Sequence, residues 1–383
     1  MKKVVIAIDS FKGCLSSEEV GQAAAEGIRK VFPETEILCF PIADGGEGIL
    51  DVLISATGGK HVPFRAHGPL MEERDACYGI SGDGKTALIE MASISGLPLV
   101  PPEKRNPMLT TSYGTGELIK DALERGCREF IIGIGGSATN DAGLGMLQAL
   151  GFRFLDGNGH ALGVGGRMMA EVKSIDTSNA CPALKDARFT VACDVHNPFC
   201  GPDGAAYVFA PQKGADRKMV DDLDTGMRSL AEVIHRTTGI DIAGYPGAGA
   251  AGGMGGGLLA FLHADLKPGI RLLLETLDFS EKIKEADLII TGEGRADRQT
   301  AMGKVPQGIL EEARKQGIPV VLIAGSIEEV EEMNRVGFQG VFSIAPGPVS
   351  LEKAMEPEFA RANVSRLTHQ LCYMVQSVNR DSV

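Results

Sequence analysis

Short apolar runs alternate with amphipathic stretches at both ends of the chain. Residues 4–8 are continuously apolar, as a strand buried on both faces requires. Ser16, Ser17, Glu18 and Glu19 then supply hydroxyls and acids for a helix start, and Val20, Ala23, Ala24, Gly27, Ile28 and Val31 keep helical spacing as far as Pro33. Residues 36–40 read as a second strand and 48–56 as a second helix. The C-terminal third repeats the scheme, with strands at 286–291, 319–324 and 340–344 and helices at 306–316, 328–336 and 357–378. Such alternation predicts a parallel sheet covered on both faces.

The middle of the chain has a different rhythm. Residues 60–64, 74–80 and 86–91 read as hairpin strands, with Ser81-Gly82-Asp83-Gly84 as a turn. Helical patterns at 112–125 and 141–150 flank an apolar strand at 130–134, and 189–193 reads as another strand. The expected fold is therefore α/β: a flavodoxin-like parallel-sheet domain from residues 1–65 and 266–383, with a second α/β domain, 66–265, inserted into it. The simplest strand order for the outer domain is 2-1-3-4-5, with its switch point between runs 4–8 and 286–291.

Composition narrows the function. The chain has 383 residues, enough for two or three domains, and 50 of them are glycine, nearly double the average of about 7%. The glycines follow no period, so they mark turns and close backbone approach. A net charge of -12 with no long basic run excludes duplex nucleic acid as the expected partner. Eight scattered cysteines, none in a Cys-x-x-Cys pair, suit a reduced, cytoplasmic protein. Lys2 and Lys3 precede too few apolar residues for a signal peptide, and no run is long enough for a membrane helix. No sequence signal fixes the oligomeric state.

Two pattern matches carry little weight. Residues 79–86 (Gly-Ile-Ser-Gly-Asp-Gly-Lys-Thr) fit the P-loop expression, but a mixed strand precedes them and Ser95-Gly96-Leu97-Pro98 leaves no room for the long helix a P-loop needs, so a hairpin turn is the better reading. Residues 247–252 fit the dinucleotide expression, but Gly244-Tyr245-Pro246 stands where a strand should be. The glycine-rich segment 247–257 still has two readings, a helix N-terminus offering Gly249, Gly252 and Gly253 to an anion, or tight packing through small residues.

Chemistry gathers just after the apolar runs. Asp9, Ser10, Lys12 and Gly13 follow the first, Asp44 to Gly48 follow the second, and Glu293, Arg295, Asp297 and Lys304 lie in what reads as a long loop, 291–304. Gly135, Gly136, Ser137, Thr139, Asn140 and Asp141 follow the strand 130–134 and could offer N–H groups and hydroxyls to phosphate, or simply cap the next helix. Asp194 ends the strand 189–193. His196 reads as a packed or hydrogen-bonded histidine, because no second histidine lies at ligand spacing.

Taken together, the segments 9–13, 41–48, 135–141, 192–195, 211–215 and 291–304 closely resemble the bacterial glycerate kinase family, in order and spacing, over residues 1 to about 373. The resemblance implies a two-domain α/β enzyme that transfers phosphate from ATP to D-glycerate, in most members forming 2-phosphoglycerate. Phosphoryl transfer needs positioning, a metal held by carboxylates and cationic stabilisation. On that chemistry Asp44 and Asp194 are expected to hold Mg²⁺ or act as base, and Lys12 and Lys213 to stabilise charge. Residues 135–141 would bind phosphates, and Arg295, with Ser10, Glu293 and Asp297, would bind glycerate in a cleft between the domains. Two rivals are a small-acid sensor without turnover and a nucleotide-cofactor dehydrogenase. Surplus carboxylates disfavour the first, and the missing strand and acid around both glycine patterns disfavour the second.

Overall fold

The computed structural model describes residues 1–42, 49–297, 300 and 305–380. Its strands are β1 (Lys3–Ile8), β2 (Glu36–Pro41), β3 (Lys60–His67), β4 (Glu73–Ile80), β5 (Thr86–Glu90), β6 (Glu129–Gly133), β7 (Arg153–Leu155), β8 (Ser174–Asp176), β9 (Arg188–Ala192), β10 (Asp265–Lys267), β11 (Leu288–Ala296), β12 (Val320–Ile327) and β13 (Gly340–Ser343). The chain divides into two compact units, Met1–Asp44 with Leu273–Val383, and Gly45–Leu272.

In the first unit the sheet order is β13-β12-β11-β1-β2, parallel throughout. Counted along this unit alone, that is the expected 2-1-3-4-5. Val4, Ile6 and Ile8 are buried with Ile290 and Ile323, under Val20, Ala24 and Ile28 of the helix Ser17–Arg29. That helix begins with a capping box: the Ser16 hydroxyl accepts from the Glu19 amide, and the Glu19 carboxylate accepts from the Ser16 amide. It also packs backbone-close on the helix Pro357–Arg380, because a Cβ on Gly27 would lie 2.1 Å from the Thr368 hydroxyl.

The second unit holds a mixed sheet, β10-β9-β6-β5-β4-β3, antiparallel from β3 to β5 and parallel beyond. It begins earlier than the expected boundary at residue 66. β3 pairs with β4 from Lys60↔Ile80 to His67↔Glu73, so it cannot belong to the outer domain. The unit also takes in the helix Ile49–Ala56 and runs to Leu272.

The P-loop match is a hairpin turn between β4 and β5. The Ser81 amide donates to the Thr86 carbonyl at 3.0 Å, and Asp83 accepts from the Ser81 hydroxyl at 2.6 Å and from the Lys85 amide at 3.0 Å. Lys85 is exposed.

The glycine-rich segment packs tightly. The helix Ala250–Leu262 is kinked at Ala251, Gly252 and Gly253, all at positive φ. A Cβ on Gly252 would lie 2.1 Å from the Thr139 carbonyl, and one on Gly257 2.4 Å from the Ala142 carbonyl. The amide of Gly249 donates to the Asn197 carbonyl and that of Gly253 to the Gly249 carbonyl. Those two amides are thus committed within the protein, and the packing reading of this segment is the one the geometry supports.

Gly84 and Gly252 share a left-handed backbone but differ in surroundings, since among the described residues nothing lies within 4 Å of a Cβ on Gly84. Gly84→Ala should therefore cost only backbone strain, about 1 kcal/mol. Gly252→Ala adds a backbone clash and should cost about 3 kcal/mol or more. Urea unfolding midpoints measure both, and equal losses would contradict the packing account.

Candidate active site

The carboxyl edge of the first unit's sheet is built by register. Ile8 pairs with Gly292, and the chain beyond each strand end stays beside its neighbour: the Asp9 amide donates to the Gly292 carbonyl at 2.9 Å. The buried Thr291 hydroxyl donates to the Ala7 carbonyl at 2.7 Å. β11 does not stop where the sequence pattern suggests a loop. It pairs with β12 through Glu293↔Ala324, Arg295↔Ser326 and Ala296↔Ile327, so Glu293 and Arg295 are strand residues. Gly292 is required for that approach, because a Cβ there would lie 2.0 Å from the Ile323 carbonyl.

A cavity of about 930 Å³ lies at this edge. Ser10, Lys12, Glu293, Arg295 and Asp297 all line it, so the first unit brings together every expected substrate-binding residue and one expected catalytic lysine. Asp9 lines it as well, only 5% exposed and accepting from the Ser10 amide at 2.6 Å. Lys12 is exposed, while Glu293 is largely buried. The Arg295 guanidinium is paired with Glu328 at 2.5 Å, which holds one nitrogen of its fork. Asp297 donates its amide to the Thr300 hydroxyl at 2.9 Å. Sequence reasoning gives Asp9 no role of its own, although its place directly after a buried strand is the available signal.

The second unit carries a buried polar cluster. Lys213 was expected to meet phosphate directly, but its ammonium is buried and donates to the Ser137 hydroxyl and the Thr139 carbonyl, each at 2.6 Å. Burial pushes its pKa down to about 7, against the raising pull of Asp141. Asp141 is itself fully buried, accepting from the Ser112 amide and hydroxyl and from the amides of Gly143 and Gly145. Burial raises its pKa despite those bonds. Lys213 therefore clamps the segment 135–141 from behind. The Thr139 hydroxyl and the Asn140 side-chain carbonyl are buried with no hydrogen-bond partner among the described residues, which costs free energy unless water or a ligand meets them. Gly135 and Gly136 are the more accessible part of the segment, and Gly136 has a positive φ.

Asp194 follows β9 and accepts from the Gly269 amide at 2.8 Å, at the start of the helix Gly269–Thr276. Its side chain is at the surface, as is His196, so of the two expected readings of that histidine, packed or hydrogen-bonded, the packed one does not hold. Asp44 and Lys304 lie outside the described residues. Among the described residues, no group of three or more His, Cys, Asp or Glu side chains is placed to hold a metal ion. Magnesium does not require such a group: it is commonly bound by one or two carboxylates together with substrate phosphates and water. Asp194 suits that demand, an accessible carboxylate with one oxygen anchored by a backbone amide. All eight cysteines are free thiols, and no helix among the described residues is long and apolar enough to cross a membrane.

Comparison with known proteins agrees with this architecture. The model of the glycerate kinase family matches residues 4–376. The chain is 50% identical over 353 residues to glycerate 2-kinase of Escherichia coli K12, covering 92% of this chain and 93% of that one. It is 48% identical over 355 residues to glycerate kinase of Bacillus subtilis 168, with coverage of 92% and 93%. A crystal structure from Salmonella typhimurium LT2, assigned as glycerate kinase 2, superposes with a TM-score of 0.89 at 43% identity, covering 99% of each chain. By sequence over nearly its whole length and by fold, this chain belongs to the glycerate kinase family.

Proposed function

We propose that the chain transfers the γ-phosphoryl group of ATP to the 2-hydroxyl of D-glycerate, with Mg²⁺, releasing ADP and 2-phosphoglycerate. The observation that carries this reading is the gathering of Ser10, Lys12, Glu293, Arg295 and Asp297 around one cavity, in a chain of a family whose Escherichia coli relative is named glycerate 2-kinase. The phosphoryl transition state is loose and demands little covalent help, so positioning and charge stabilisation are the main requirements. Arg295 can bind the glycerate carboxylate through parallel N–H bonds, with Glu328 accepting from one of its nitrogens. Lys12 offers a mobile ammonium to the transferring oxygens. Asp44 and Asp194 are the proposed magnesium ligands. The metal, when bound, neutralises phosphate charge that carboxylates alone would repel. Lys213 serves this reading indirectly, by holding residues 135–141 in shape.

Phosphorus NMR of the full chain with ATP, Mg²⁺ and D-glycerate tests the reading directly. A 2-phosphate ester couples to one carbon-bound proton and gives a doublet. A triplet would mean transfer to the 3-hydroxyl, and no new ester signal would remove the kinase reading altogether.

Asp194→Asn should lower turnover on the order of 100-fold with the fold intact, and chelating divalent metal should abolish it in the unmodified chain. Near-normal activity of that variant would release Asp194 from the mechanism.

Lys213 predicts a pH dependence of stability. Its folded pKa of about 7 lies below the ordinary lysine value, so between those limits the unfolded chain holds a proton that the folded chain lacks. Its contribution is therefore unfavourable below about pH 7 and is relieved as pH rises toward about 10. Lys213→Met should flatten that rise, as read from urea midpoints between pH 7 and 10. A variant that retains the full slope would show that another group is responsible.

A further inference from the structure

The first unit's cavity has two chemically different walls. One is polar and formed by the ends of β1, β11 and β12, with Asp9, Lys12, Glu293 and Arg295. The other comes from residues 344–360 and is largely apolar, with Pro348, Val349, Leu351, Met355 and Phe359. Glycerate is a three-carbon acid, and the groups proposed to recognise it stand on the polar wall. A volume of about 930 Å³ lies near the top of the range, roughly 300–1,000 Å³, that holds drug-sized ligands. Glycerate would leave most of this space and the whole apolar wall unused.

The apolar wall is also notable for what it leaves in water. Leu351 is 78% exposed, Val349 39% and Met355 36%. Side chains of this kind at a cavity mouth gain free energy when a flat apolar group covers them. The wall adjoins the first loop, since a Cβ on Gly13 would touch the Met355 methyl at 3.3 Å. The same cavity thus combines an apolar face with the cations Lys12 and Arg295, which suits a ligand with a planar heterocycle at one end and anionic groups at the other. In an open parallel sheet the crevice at the switch point, here between β1 and β11, is where such ligands bind. In the second unit, by contrast, the ammonium of Lys213 and the amides of Gly249 and Gly253 are already bonded to protein atoms.

We propose that the apolar wall formed by residues 344–360 binds the nucleoside of the adenine nucleotide, with its phosphates directed toward the polar wall. The inference rests on ATP being the phosphoryl donor, and it places the nucleotide away from Gly249, Gly252 and Gly253, which one of the two readings of the glycine-rich segment offers to an anion. The base would lie against Val349, Leu351 and Met355, gaining contact area more than hydrogen bonds. The buried Asn363 at the cavity's edge already donates its amide to the Phe359 carbonyl at 2.8 Å.

Photolabelling tests this with the full, unmodified chain. 8-Azido-ADP, irradiated and mapped by peptide mass spectrometry, should label peptides spanning residues 344–360, and excess ADP should remove that label. Label confined to residues 135–141 or 247–262, or label at 344–360 that ADP fails to displace, would overturn the proposal. Leu351→Asp and Val349→Asp change exposed side chains and should leave the melting temperature unchanged. Each should weaken ADP binding at least tenfold by calorimetry while the KM for D-glycerate stays within twofold. Unchanged ADP affinity would overturn the proposal, and a raised glycerate KM alone would assign the wall to the acceptor. Turnover by the unmodified chain separates the two claims. If ATP and glycerate react but the label falls elsewhere, only the nucleoside site is wrong. If the wall is labelled but no ester forms, the site stands and the phosphoryl-transfer reading falls.

Discussion

The pairing of β1 with β11 is the constraint on which the lining of the first unit's cavity depends. Residue i of β1 meets its partner in fixed register, from Val4↔Leu288 to Ile8↔Gly292. A slip of one residue would turn every buried side chain on either strand to the opposite face. It would also break the bond from the Thr291 hydroxyl to the Ala7 carbonyl and that from the Asp9 amide to the Gly292 carbonyl. The hydrophobic core therefore sets the positions of Asp9, Ser10 and Lys12 beside Glu293 and Arg295. Burial of Val4, Ile6, Ile8 and Ile290 supplies the stabilising free energy, and the polar residues come next as the same strands leave the core.

The second unit solves a different problem, the placement of charge where water is absent. A buried ammonium and a buried carboxylate each cost several kcal/mol if unsatisfied. Here Lys213 has two short hydrogen bonds and Asp141 has bonds from Ser112, Gly143 and Gly145. Burial favours the neutral form of each, pushing the Lys213 pKa down and the Asp141 pKa up. Glycines make the arrangement possible. With the Gly252 and Gly257 side chains absent, the helix Ala250–Leu262 can press against the Thr139 and Ala142 carbonyls and shape the segment from behind.

Much of this was legible in the sequence, for local reasons. Apolar runs 4–8 and 130–134 announced buried strands, Ser16 and Glu19 announced a capped helix, and Ser81-Gly82-Asp83-Gly84 announced a hairpin in spite of its P-loop lettering. The errors came where one local signal had two causes. Gly292 and Gly294 read as loop punctuation, yet they sit in β11, where Gly292 answers to the close approach of the Ile323 carbonyl. The sequence puts the domain boundary near residue 66 because β3 looks alike whichever sheet it joins, and only its pairing with β4 assigns it to the second unit's sheet. The helix Arg217–Thr238 is not among the expected elements, although Val220, Leu223, Met227, Leu230 and Ile234 keep helical spacing. Lys213 was beyond reach, because its partners lie 76 and 74 residues away along the chain and nothing local marks a lysine for burial.

If phosphoryl transfer takes place at the carboxyl edge of the first unit's sheet, two lysines should respond differently to removal. Lys12 lines the cavity there, whereas Lys85 stands on the solvated turn between β4 and β5 despite its P-loop lettering. The decisive measurement is kcat at saturating ATP and D-glycerate for Lys12→Ala and Lys85→Ala side by side. Lys12→Ala should lose on the order of 100-fold or more, as for removal of a charge that stabilises a transferring phosphoryl group. Lys85→Ala should keep a near-normal rate. An inactive Lys85→Ala enzyme beside a healthy Lys12→Ala one would move the reaction away from this edge.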